Sequence, residues 1–278
     1  MTSSPRPNSR QPIAFIGGGN MATAIIGGLI RQGLPASEIE VVEPYVPARD
    51  KLQAQFGIEA QEHAGAALQR AALVVWAVKP QTFKEAAAPA RAHTASALHL
   101  SVAAGIRSDS IAHWLGTQRI VRSMPNTPAL IGKGMTALYA RPGVGAHDRS
   151  LVEQVIATTG ESLWVQEEAQ LDAVTALSGS GPAYVFFFLE AMTQAGVEMG
   201  LTREQAYRLA VGTFAGASEL ARGSDDPPEV LRQRVTSKGG TTHAAISCME
   251  RDLVQMQFIK ALHAARQRAR ELGDEFGR

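Results

Sequence analysis

Ile13-Ala14-Phe15-Ile16-Gly17-Gly18-Gly19-Asn20-Met21-Ala22 decides the fold of this 278-residue chain. Four apolar residues, enough for a short buried strand, run straight into three glycines, and an apolar helical pattern follows to near Gly33. The spacing is the G-x-G-x-x-A form of the dinucleotide fingerprint. One glycine makes the tight turn, the next admits a pyrophosphate, and a small third residue lets helix and strand pack closely. Ile16, Gly17, Gly18, Gly19, Asn20 and Met21 are therefore the first candidate cofactor residues. A plain strand–turn–helix connection uses the same glycines, so context has to separate the two. The second strand pattern, 39–42, ends at Glu43. An acidic residue about 20 positions past the glycines is where a ribose hydroxyl is held. Arg49 follows six residues on, placed to offset that charge if the loop folds back.

Strand-like runs recur at 73–78, 97–102 and 120–124, with Ala-rich helical stretches at 81–88 and 109–115 between them. Alternation of this kind argues for a parallel sheet with crossover helices. Two further short strands fit at 134–139 and 162–165. After Gln166 the texture changes to helix upon helix: 171–178, 182–199, 202–220, 228–235, 241–251 and 253–272. The fold expected is α/β, a Rossmann-type doubly wound sheet over 12–165 followed by an all-α domain over 166–278. Residues 1–11, rich in Ser, Pro and Arg without an apolar core, read as a disordered tail rather than a signal peptide.

In doubly wound sheets the ligand lies beyond the carboxyl ends of the strands. Three loops stand there. Ala77, Val78, Lys79 and Pro80 supply amides and a cation. Ala103, Ala104 and Gly105 are small enough for a nicotinamide ring to lie against. The stretch Met124-Pro125-Asn126-Thr127-Pro128 is stiffened by two prolines around Asn126 and Thr127, both able to hydrogen-bond. Each alone is ordinary turn chemistry; all three after strands of one sheet make a site.

A second candidate site lies far along the chain in Ser237-Lys238-Gly239-Gly240-Thr241-Thr242. It packs hydroxyls and small-residue amides ahead of a helix, with no Asp, Glu or Cys. Consecutive amides backed by a helix dipole hold a carboxylate or phosphate. A Gly-rich loop with a Thr N-cap is the plainer alternative. His243 adjoins it.

The helix 182–199 carries Tyr184, Val185, Phe186, Phe187, Phe188 and Leu189 on every side, so it has to be buried all round. A helical domain of this size cannot also cover 202–220, with its small residues Ala206, Ala210, Gly212, Ala215, Gly216 and Ala217, so a second subunit is expected.

Composition bounds the remaining classes. Charged residues are 19% and the net charge is +1, so no nucleic-acid or other polyanionic partner is implied. One cysteine, Cys248, excludes an internal disulfide framework, fits a reducing compartment and reads as a small buried hydrophobe. The apolar run 182–189 is too short for a bilayer, which needs about 20 residues. A soluble, cytoplasmic protein without a membrane partner is expected. The seven histidines show no metal-ligand spacing, so no metal is assigned. Ser178-Gly179-Ser180-Gly181 does not make a hydrolase elbow, which needs G-x-S-x-G after a strand.

Six segments together, FIGGGNM (15–21), AVKPQ (77–81), SVAAG (101–105), MPNTPAL (124–130), SGSGPAY (178–184) and TSKGGTT (236–242), resemble the pyrroline-5-carboxylate reductase family over residues 13–272. The first is shared by many dehydrogenases, whereas the last two are specific to that family. The resemblance implies hydride transfer from NADP(H) or NAD(H) to the C=N bond of L-1-pyrroline-5-carboxylate, giving L-proline in the last step of proline biosynthesis. It further implies a homodimer or higher homo-oligomer. Ser237 and the amides of Gly239, Gly240 and Thr241 would bind the substrate carboxylate, and Thr242 would act catalytically by bonding the ring nitrogen. Lys238 stands where the family usually has proline and His243 where it usually has an apolar residue. Two rivals remain: a dehydrogenase of similar build, expected to carry a catalytic Lys in 182–199 where none occurs, and a nucleotide-binding protein without turnover.

Overall fold

The structure, a computed structural model, describes residues 12–277. The segment 1–11, expected to form a tail, lies outside the described residues. The chain runs β1 (Ile13–Ile16), α1 (Asn20–Arg31), β2 (Ile39–Val42), α2 (Val46–Phe56), β3 (Leu73–Trp76), α3 (Phe83–Ala90), β4 (Leu98–Ser101), α4 (Ser108–Leu115), β5 (Ile120–Met124), β6 (Gly134–Ala140), α5 (Ala146–Ile156) and β7 (Gly160–Trp164). It continues with α6 (Gln170–Val174), a π-helical turn (Thr175–Gly179), α7 (Gly181–Glu198), α8 (Arg203–Arg222), α9 (Pro228–Arg234), α10 (Thr241–Arg251) and α11 (Val254–Phe276).

The strands form one sheet in the order β2-β1-β3-β4-β5-β6-β7, parallel except where β6 runs against β5. Every residue of β1, β3 and β4 is buried. Strands apolar on both faces need cover on both, which the crossover helices supply. Period-2 alternation sorts the side chains: Ile13 and Phe15 join one core with Ile25 and Leu100, while Ala14 and Ile16 join the other with Trp76 and Ile106. In the second core Trp76 stacks on Phe83 at 4.8 Å, Phe83 meets Trp114 at 5.7 Å, and the Trp76 indole donates to His99 Nδ1 at 3.0 Å. Burial lowers the His99 pKa to about 4, against a smaller opposing effect of the Thr94 backbone.

The described residues divide into two compact units, one reaching to Ser180 and resuming at Ala265, the other spanning Gly181–Ala264. The strand texture ends at Trp164, close to the boundary expected at 165/166, but the first unit extends further. Its extension is explained by α6 packing on β5 and β6, and by the Asn126 side chain donating to the Ser178 carbonyl at 3.2 Å. The last helix, α11, starts in the second unit and ends in the first.

Within the second unit α7 and α8 pack through small residues; a Cβ on Gly196 would lie 2.6 Å from that of Ala206. The expectation that α7 is buried all round is not met within the single chain. Val185, Phe186, Phe187 and Met192 are exposed, Phe187 by 68%, and so are Tyr207, Leu209 and Leu220 of α8. Ala206 and Ala210 are buried, whereas Gly212, Ala215, Gly216 and Ala217 face outward. Phe258 of α11 covers only one side of α7, meeting the rings of Tyr184 at 5.7 Å and Phe188 at 5.6 Å. Among the described residues no helix is long and apolar enough to cross a membrane.

Candidate active site

The strand order reverses between β1 and β3, and in such sheets that switch point is where a dinucleotide lies. The ladder continues past the strand ends, with Gly17 N–H donating to Val42 O at 2.8 Å and Ala77 N–H to Ile16 O at 2.8 Å. Gly17 sits at φ +97°, and a Cβ there would come within 2.6 Å of the Ala77 carbonyl oxygen. Only glycine allows this turn under the β3 loop. Gly19 is the N-cap of α1 with no side-chain cap, is exposed, and has nothing within 4 Å of where its Cβ would be. The first-turn amides of α1 lack intrahelical acceptors and open onto that space, which fits a pyrophosphate.

Glu43 does more than end β2. Its Oε2 accepts from Gly18 N–H at 2.7 Å and its Oε1 from Tyr45 N–H at 2.8 Å. Arg49 does fold back, donating to the carbonyls of Glu43 at 2.9 Å and Pro44 at 2.8 Å. The carboxylate expected beside a ribose is thus also a latch on the glycine loop.

Ala77–Pro80 and Ala103–Gly105 leave β3 and β4 beside this turn. Lys79 is exposed and Val78 half-buried. Ala103 is 4% exposed and packs into the core with Ile106, so it offers its backbone rather than its side chain. Beyond this loop Ser108 opens α4, and both its N–H and Oγ–H donate to the Glu168 carboxylate at 2.5 Å. The same carboxylate accepts from buried Arg122 at 2.6 Å. Nothing in the composition of these segments marked this cluster in advance. Asn126, expected to touch the cofactor, uses its side chain within the protein: its oxygen accepts from Met135 N–H at 2.9 Å and its nitrogen reaches Ser178. Its partner segment is the π turn at Thr175–Gly179, closed by Ser180 N–H to Thr175 O at 2.8 Å; such turns recur at functional sites.

The loop 237–242, expected to hold the substrate, belongs to the second unit. Gly239 takes φ +75°, Gly240 N–H donates to Ser237 O at 3.0 Å, and Gly240 is the N-cap of α10 without any side-chain cap. A Cβ on Gly240 would fall 2.6 Å from Ser237 Oγ. The alternative of a Thr N-cap is therefore not realised: Thr241 and Thr242 are the first two helical residues, Thr241 exposed and Thr242 half-buried. Ser237, Lys238 and His243 are exposed. Cys248, expected in a core, is exposed on α10 with Arg251 donating to its sulfur at 3.1 Å. Its helix presents that face outward, where no apolar layer covers it. Among the described residues no His, Cys, Asp and Glu cluster could hold a metal ion.

Residues 168–272 match the family model for pyrroline-5-carboxylate reductase dimerisation, and residues 12–105 match that for NADP oxidoreductase, coenzyme F420-dependent. A pyrroline-5-carboxylate reductase of Pseudomonas aeruginosa is 45% identical, the match covering 95% of this chain and 98% of that protein. One from Arabidopsis thaliana is 35% identical over 96% and 98% of the two chains. Among solved structures, a pyrroline-5-carboxylate reductase from Coxiella burnetii aligns with TM-score 0.89 at 38% identity, covering 95% of this chain and 99% of that one. A Plasmodium falciparum pyrroline carboxylate reductase with NADP bound aligns at 0.84 and 26% identity, over 94% and 98%. The similarity runs through both compact units and nearly end to end, and the chain belongs to the pyrroline-5-carboxylate reductase family.

Proposed function

We infer that this chain is an NAD(P)H-dependent reductase of the C=N bond of L-1-pyrroline-5-carboxylate, releasing L-proline in the last step of proline biosynthesis. The observation that carries this reading furthest is an uncapped helix start, Gly240 before α10, in a chain whose first helix begins with an equally uncapped glycine turn. One suits a small carboxylate and the other a pyrophosphate.

Ile16–Met21 hold the pyrophosphate, Glu43 faces the adenosine ribose, and Ala77–Pro80 with Ala103–Gly105 support the remainder. The reduced nicotinamide supplies a hydride when bound. Ser237 and the amides of Gly239, Gly240 and Thr241 hold the substrate carboxylate, which the α10 dipole favours. Asn126 acts at one remove, by fixing the loop after β5. The Thr242 hydroxyl bonds the ring nitrogen. A cyclic imine is basic enough to arrive partly protonated, so no strong acid is required of the loop. What the residues contribute is orientation, which supplies several kcal/mol on its own. Lys238 adds a cation beside the carboxylate site. The chain acts as a homo-oligomer in the cytoplasm, the apolar faces of α7 and α8 being covered by a second copy.

Mixing the protein with NADPH and pyrroline-5-carboxylate should consume the reduced-nicotinamide absorbance in step with proline formation. Dinucleotide binding without consumption would overturn the assignment in favour of a binding protein.

A further inference from the structure

The last two turns of α11 lie against the segment that follows β4. A Cβ on Gly105, at φ +72°, would lie 3.2 Å from Leu272 Cβ and 3.3 Å from the Phe276 ring. From the other side, a Cβ on Gly273 would lie 3.4 Å from the Arg107 guanidinium. Gly105 thus lets the Leu272 and Phe276 side chains close on the loop, and the Arg107 side chain lies in ordinary contact over Gly273. Two polar ties flank the contact, Arg107 to Asp274 at 2.7 Å and Ser110 Oγ–H to Gly277 O at 2.8 Å. The end of α11 therefore touches Gly105, Arg107 and Ser110, the first of them the last residue of Ala103–Gly105.

We propose that the end of α11 is a positioning element of the dinucleotide site, with Leu272 holding the Ala103–Gly105 backbone in its binding shape. This rests on the assignment of that loop to the cofactor. Glycine loses more conformational freedom on ordering than any other residue, and Leu272 packs on the one at position 105. A loop ordered in advance spares the ligand the entropic cost of ordering it. Leu272 is half-buried and touches no ligand itself; its effect passes through the Gly105 backbone.

The test is the dissociation constant of NADPH, read from nicotinamide fluorescence without substrate, on the full chain. Leu272→Ala should weaken binding about tenfold and leave the KM of the imine within about twofold. Leu272→Met, which keeps the volume, should restore the parental constant. Val152→Ala, in a core on another part of the unit, serves as the destabilised control and should leave NADPH binding unchanged. An unchanged constant in Leu272→Ala, or an equal loss in Val152→Ala, would overturn the proposal. Should Leu272→Ala not fold, Asp274→Ala, which removes the acceptor of Arg107, carries the same comparison with an expected loss of about threefold; no loss overturns it. Parental protein that binds NADPH but leaves the imine unreduced sinks the proposed function, whereas the Leu272 series is judged on binding alone.

Discussion

Replacing Thr242 by alanine separates catalysis from folding more sharply than any other change in this chain. Gly240 holds the N-cap position, so Thr242 is the second residue of α10 and its removal takes away no cap. Loss of a cap costs about 1 kcal/mol; here that cost does not arise. Alanine gains up to about 0.7 kcal/mol in helix propensity, and losing one half-buried methyl costs less than about 0.8 kcal/mol. These offset, so the melting temperature should stay within a few degrees. A hydroxyl that donates to the unprotonated ring nitrogen makes a hydrogen bond that strengthens as hydride arrives and charge builds on that nitrogen, lowering the barrier by about 2.7 kcal/mol, so its removal costs about 10²-fold in kcat. Thr241→Ala is the internal control. Thr241 is exposed and acts through its amide, which alanine retains, so turnover should remain within about threefold of the parent. The assay is kcat and KM at saturating NADPH, beside thermal unfolding by circular dichroism. Near-parental kcat in both variants would refute the catalytic role of Thr242, whatever happens to stability.

Glu43→Ser should improve NADPH use relative to NADH, because a carboxylate repels a 2′-phosphate, and should weaken both because it frees the Gly18 amide. An unchanged ratio of specificity constants would show that Glu43 is only a latch. Phe187→Glu, at a position 68% exposed in the single chain, should give monomeric, inactive protein by light scattering; an active parental monomer would defeat the interface assignment. His99 is neutral in the folded protein, its pKa lowered to about 4 by burial, while an unfolded histidine takes up a proton near 6.5. The unfolded state therefore binds more protons between these values. Stability is full above pH about 6.5 and falls by roughly 3 kcal/mol as pH drops towards 4. Denaturant titrations should show that slope flattened in His99→Gln, and an identical slope would assign it to other groups.

Local patterns were legible where local physics decides them. Ile13–Ile16 is as apolar as a strand buried on both faces must be, Ile39–Val42 breaks that pattern only at half-buried Glu40, and Gly17 and Gly18 stand where the turn leaves no room for a Cβ. The start of α10 was legible as a glycine turn opening a helix, though the cap fell on Gly240 rather than a threonine, since a backbone hydrogen bond from Gly240 to Ser237 O closes the loop earlier. Pairings between distant residues were not legible. Glu43 carries an obvious charge, but only the folded loop shows that Gly18 and Tyr45 amides take both its oxygens. Asn126 looks equally able to meet a ligand or a neighbouring strand, and Met135 claims its oxygen. An amphipathic helix such as α11 carries no mark of which unit its end will join. The exposure of Cys248 likewise depends on how α10 packs, which its own sequence does not encode.

That return of α11 has a consequence for biosynthesis. The glycine turn of the first unit is made well before the residues from Ala265 onward, which complete the same unit. A ribosome adding about 5–20 residues/s needs roughly 5–20 s to pass from Ser180 to the end of the chain. Through that interval the nascent sheet carries its β4 loop without the helix that lies over Gly105. The second unit, continuous over Gly181–Ala264, has no such wait. Synthesis order and closure order are therefore inverted: the half translated first is finished last, by residues at the opposite terminus.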